Sequence, residues 1–194
     1  RGMGVDWLTA KELIERTMQA AKLHPMQPRV ACGAGTDHVS LTDLRNADAI
    51  AAAYETQAAA IEAAGGQLIL MASRALAKLG RSADDYAKVY NRVLGQVREP
   101  VIIHWLGDMF DPQLAGYWGS SDLDKAMETA VAIINSHAGK VDGFVSAIGT
   151  GGTLCGVAMA LKERNKNVKI AVADPDGAAM FSYFTTGELK SEGT

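Results

Sequence analysis

The sequence predicts an α/β protein in which about five parallel strands alternate with helices as one compact domain over residues 1–194. Short apolar runs suited to buried strands recur along it: RVACG, QLILMA, VIIHW, VDGFVSAI and VKIAVA. Stretches of helical period separate them, with connections long enough for crossovers, so the strands are expected to run parallel under a layer of helices. No internal repeat, low-complexity tract or flexible linker divides the chain.

From Asp6 to Leu23, Leu8, Leu13, Ile14, Met18 and Ala21 recur at helical spacing. Thr9 is the expected N-cap with Glu12 as its capping-box partner, and His24-Pro25 and Pro28 end the helix. Arg29 to Gly33 forms the first strand and runs into the loop Ala34-Gly35-Thr36-Asp37-His38. Ala47 to Ala64 is an alanine-rich helix closed by Gly65-Gly66. Gln67 to Ala72 is the next strand. Ser82-Ala83-Asp84-Asp85 opens a helix reaching Val97, and Glu99-Pro100 leads into the strand Val101 to Trp105. A loop from Gly107 to Gly119 carries Asp108, Asp111, Tyr117 and Trp118. Asp122 to Ala138 is helical, Val141 to Ile148 is the central strand, and Leu154 to Arg164 has helical spacing. Val168 to Ala173 is the last strand, followed by the turn Asp174-Pro175-Asp176-Gly177 and a weakly helical tail from Ala178.

The chain is long enough for a substantial core, and its 48% hydrophobic and 21% charged residues are ordinary for a globular protein. A net charge of −3 without a basic cluster argues against nucleic acid and anionic membrane as partners. No apolar run approaches the roughly 18 residues of a spanning helix, and RGMGVDWLTAKEL has no signal-peptide core. A cytoplasmic setting is the expectation. Cys32 and Cys155 have no metal-type spacing and read as small packed residues.

The stretch Lys140 to Thr153 passes from a buried strand into Gly149-Thr150-Gly151-Gly152-Thr153 and then a helix. Helix N-termini present unpaired N–H groups and a favourable dipole to anions, and glycines admit a phosphate without a Cβ in the way. The same pattern also serves as a plain strand-to-helix connection. In parallel α/β folds ligands gather beyond the carboxyl ends of the strands. The residues there are Thr36, Asp37 and His38; Ser73 and Arg74; His104 and Asp108; the glycine turn; and Asp174 and Asp176. Arg74 could add charge to an anion site. Asp37, Ser73 and Asp174 read as caps and turn residues. His104 stands between a hydrogen-bonded strand-end histidine and a weak catalytic candidate. No spacing supports a metal at His38, His104 and Asp108.

Two resemblances refine this. RGMGVDWLTAKELI, RVACGAGTD, AAAYETQAAAIEAAGGQLILMASRALA, DDYAKVYNRVLGQVREPVIIHWLGDMFDP and LAGYWGSSDLDKAME resemble the dihydrodipicolinate synthase-like barrels, class I aldolases, and most closely an uncharacterised branch of them. This implies that residues 1–140 are a segment of a (βα)8 barrel. That family's Schiff-base lysine follows a Gly-hydrophobic pattern that corresponds here to Gly143-Phe144-Val145, and valine forms no imine. His104 stands where the resemblance places a relay tyrosine.

VDGFVSAIGTGGTLCGVAMALKERNKNVKIAVADPDGAA and YFTTGELKSEG, within residues 141–194, resemble the cysteine synthase group of fold type II pyridoxal-phosphate enzymes. In that group GTGGT holds the cofactor phosphate, which implies Gly149, Thr150, Gly151, Gly152 and Thr153 as its site here. The cofactor lysine has no counterpart in this chain.

Together the two resemblances imply a chimera, engineered or naturally recombined, that joins a partial barrel to a Rossmann-like βαβ unit near KVDG. The expected function is a scaffold without evolved catalysis that keeps a residual phosphate site and needs no cofactor. The alternatives are pyridoxal-phosphate-dependent, cysteine synthase-like activity, or aldolase or lyase chemistry on another lysine such as Lys140 or Lys162. Open strand edges predict self-association.

Overall fold

A computed structural model of the chain describes residues 5–138, 142–148, 152–174 and 177–188. It is α/β, with five short strands that all pair in parallel and alternate with helices. Where the alternation predicts one sheet, the strands form a three-stranded and a two-stranded sheet. The chain divides accordingly into two compact units, 1–137 and 138–194.

In the first unit, helix α1 (Trp7–Leu23) precedes strand β1 (Ala31–Ala34). Asp6, not Thr9, caps α1: its carboxylate accepts the Thr9 N–H at 2.9 Å, which also holds that carboxyl below its usual range. Helix α2 (Ala47–Ala64) has the expected bounds. The Asn46 side chain caps it through the Ala49 N–H, and Gly65 closes it at φ 87°, a conformation that L side chains rarely adopt. Strand β2 (Gln67–Leu70) follows. Next comes a helix that periodicity missed, α3 (Arg74–Leu79), too short at six residues to display a repeat.

Helix α4 (Ala83–Leu94) begins where Asp85 accepts N–H bonds from Arg81 and Ser82. Strand β3 (Ile102–Ile103) is shorter than the apolar run that announced it. Two 3-10 turns, Pro112–Leu114 and Tyr117–Gly119, then lead to α5 (Leu123–Ala138).

The sheet order is β1-β2-β3, with Ala31 beside Gln67 and Ile69 beside Ile102. Its core is made by Ile50, Tyr54 and Ile61 of α2, Leu68 and Leu70 of β2, Leu76 of α3, and Tyr86, Val89, Tyr90 and Val93 of α4. Arg92 ties α4 to α2 through two bonds to Glu55, at 2.7 and 2.9 Å, and one to Asp48. Trp118 lies in this core at φ 69°, a strained value for a residue with a side chain. The ring of Tyr90 at 4.8 Å and that of Trp105 at 5.8 Å hold it there. Among the described residues no helix is long and apolar enough to cross a membrane.

In the second unit, strand β4 (Gly143–Ser146) pairs with β5 (Lys169–Val172) around helix α6 (Gly152–Arg164), and α7 (Ala179–Thr186) follows. Gly143 aligns with Lys169 and Ser146 with Val172, so the strand ends are in register. Leu161 and Val168 are its buried apolar side chains among the described residues.

Candidate functional site

The carboxyl ends of β1, β2 and β3 carry the first cluster of candidates. The loop after β1 delivers Thr36 into the interior, where its hydroxyl meets the Ser73 hydroxyl at 2.7 Å. Ser73 caps α3 by accepting the Leu76 N–H at 3.2 Å and donates its own N–H to the Tyr117 phenol at 3.1 Å. The Tyr117 and Tyr90 hydroxyls lie 3.0 Å apart, and Tyr54 donates to the Met71 carbonyl. Burial pushes the Tyr54, Tyr90 and Tyr117 phenols up, so they stay protonated and act as hydrogen-bonding pins rather than bases. Thr36 and Ser73 are therefore structural, joining two strand ends to the aromatic core.

Arg74, at the first position of α3, reaches Asp111 at 3.0 Å and Asp37 at 3.8 Å. Asp111 is buried and also caps the turn at Gln113. The Arg74 guanidinium is thus engaged within the first unit, clamping the loops after β1 and β3 onto α3, and this weakens the expectation that it serves an external anion. His104 extends the β3 ladder by donating its backbone N–H to Leu70 O at 2.9 Å. Its ring Nδ1 is buried with no hydrogen-bond partner among the described residues. Asp108 is exposed. No group of three or more His, Cys, Asp or Glu among the described residues could hold a metal. Cys32 is half-buried, and burial pushes its thiol up, away from thiolate reactivity.

Sequence reasoning passed over Gln57. Its side chain accepts the Gly35 N–H at 2.8 Å and meets His38 Nδ1 at 3.0 Å, while the Trp7 ring lies 5.8 Å from the imidazole. A signal was available: Gln57 is a polar residue on the buried stripe Ile50, Tyr54, Ala58 and Ile61 of α2. A polar group in such a stripe needs partners.

The second candidate is the glycine turn. Gly149, Thr150 and Gly151 lie outside the described residues, as does the side chain of Thr153. The described backbone around the turn is a strand ending at Ser146 and a 13-residue helix beginning at Gly152. Asp174, after β5, accepts the Phe181 N–H at 2.8 Å near the start of α7, a capping role, and Asp176 lies outside the described residues.

The lysines divide by position. Lys162 donates to the Lys166 carbonyl at 3.1 Å, and Lys169 opens β5 opposite Gly143. All three lie towards the amino edge of the small sheet. Lys162 is ten residues along α6 from Gly152, about 15 Å at the helical rise. Lys140 lies outside the described residues.

Comparison with known proteins finds short matches to cysteine and cystathionine synthases and one longer family match. A cysteine synthase of Dictyostelium discoideum is 46% identical over 61 residues, 31% of this chain and 16% of that protein. Cysteine synthase 1 of Neurospora crassa is 50% identical over 50 residues, 25% of this chain and 13% of its own length. A cystathionine beta-synthase of Apis mellifera is 42% identical over 53 residues, 27% of this chain and 10% of its own length. The chain thus spans less than a fifth of each of these relatives. A family model matches far more of the chain, residues 1–150 of its 194. The chain accordingly belongs to the family described as protein of unknown function (DUF993).

Proposed function

We propose that this chain is a recombined α/β scaffold without evolved catalysis that binds phosphate, or the phosphate end of a small molecule, at Gly149 to Thr153. The observation that carries this reading is the backbone setting: β4 runs parallel to β5, and α6 starts at Gly152 a few residues after β4 ends. The first N–H groups of such a helix lack intrahelical partners and favour an anion. Short matches to cysteine synthases, beside a family match over residues 1–150, support recombination of two families.

Pyridoxal phosphate is the cofactor that the cysteine synthase resemblance implies, and its two ends fare differently. A glycine-rich turn before a helix suits its phosphate. An imine needs a lysine within reach of the same turn, and the described lysines of this unit, Lys162, Lys166 and Lys169, lie towards the opposite edge of the sheet. On this reading the group is held by its phosphate alone, with no lysine among the described residues to form an imine. Aldolase chemistry is disfavoured by Val145, which holds the position that the barrel resemblance gives to a lysine.

Titration with inorganic phosphate and with pyridoxal phosphate tests this, followed by amide NMR shifts and absorbance. The expected result is saturable shifts confined to residues 149–153 with no imine band, abolished by Gly152→Asp. An absence of shifts with both ligands leaves the turn as a connection only. An imine band that borohydride traps on Lys140 or Lys162 would replace this reading with the enzymatic one.

A further inference from the structure

Gln57 occupies a site where its amide can point only one way. The Gly35 N–H, 2.8 Å away, requires an acceptor, so the amide oxygen takes that side. The amide nitrogen, which only donates, then faces His38 Nδ1 at 3.0 Å. Nδ1 must accept, and the neutral imidazole carries its proton on Nε2.

We infer that Gln57 locks His38 as the Nε2–H tautomer and couples its protonation to release of the Gly35 amide, which makes the end of β1 a proton-operated latch. A second proton, on Nδ1, meets the Gln57 NH2 group, donor against donor. Rotating the amide resolves that contact by turning Oε1 towards Nδ1–H. The NH2 group then faces the Gly35 N–H, and the backbone just after β1 loses its acceptor.

The groups around the ring leave this coupling in control. From α1 comes the uncharged Trp7 ring at 5.8 Å, and from α2 comes Gln57. Asp37, the neighbouring residue, favours the imidazolium, but its carboxylate also lies 3.8 Å from Arg74 of α3, itself bonded to Asp111. Burial outweighs Asp37 and holds the imidazole below the usual histidine range. In sign, the unfolded chain binds this proton more readily than the folded one. The contribution of His38 to stability is full above the unfolded value of about 6.5 and is lost as pH falls from there through the lower folded value.

Nitrogen-15 NMR of the imidazoles across pH, with the Gly35 amide followed in parallel, tests the latch. The expected result is an unprotonated Nδ1 and protonated Nε2 at neutral pH, with Gly35 losing exchange protection at the His38 midpoint. Gln57→Glu, whose carboxylate accepts from both neighbours, should raise that midpoint by about 1 pH unit or more and disconnect Gly35 from it. An Nδ1–H tautomer, or a Gly35 amide indifferent to the His38 titration, overturns the inference on the wild-type protein alone.

Discussion

The two units use the same strand-helix-strand grammar and reach different degrees of burial. In the first, α2 and α4 lay apolar stripes over β1, β2 and β3, and side chains as large as Tyr54, Tyr86 and Ile61 lose essentially all contact with water. In the second, Val145 of β4, Met159 of α6 and Phe181 and Phe184 of α7 are exposed, the last at 75%. Parallel pairing is thus compatible with either outcome. Burial comes from having enough helix stripe to cover a sheet, and a two-stranded sheet beside α6 and the eight-residue α7 offers little to cover.

This contrast can be broken or sharpened by substitution. The largest effect is expected at Ile61→Ala, about 2–5 kcal/mol lost in urea unfolding. Tryptophan fluorescence reports it, because Trp7, Trp105 and Trp118 all belong to the first unit. Gly119→Ala comes next, at about 1–3 kcal/mol, since Gly119 sits at φ 81° and an added Cβ would come within 2.7 Å of the Ser82 carbonyl carbon. Asn46→Ala, which removes the α2 cap, should cost about 1 kcal/mol. Phe184→Ala should stay within about 0.5 kcal/mol, followed by far-ultraviolet circular dichroism. A cost at Phe184 matching that at Ile61 would mean that the aromatic face of α7 is covered in solution, and the contrast between the units would fail.

The elements that sequence reasoning located well are those with strong local signals. Asn46 and Gly65 bracket eighteen residues of alanine-rich helix, and α2 has those bounds. The strands came out shorter than their apolar runs because Val101 and Ala72 are apolar yet lie beyond the paired residues. Thr9 looked like a cap because Thr-x-x-Glu is a capping pattern, but Asp6 stands three residues earlier and captures the Thr9 N–H itself. At the candidate site, Thr36, Asp37, His38, Ser73, Arg74 and His104 were all anticipated at strand ends. Their partners were not: Asp111 lies 37 positions from Arg74, and Tyr117 lies 44 from Ser73.

The sequence alone determined the class of this protein, because alternating apolar runs and helical stripes are short-range patterns that backbone geometry converts directly into strands and helices. It also showed that valine rather than lysine stands at position 145, which is a question of residue identity. Tertiary structure decided what lies between distant positions: that the strands close into two sheets, that Arg74 is held by two aspartates, and that the Gln57 amide of α2 meets the His38 ring. Such pairings depend on directional contacts across long loops, and no periodicity along a chain encodes which side chain will meet which.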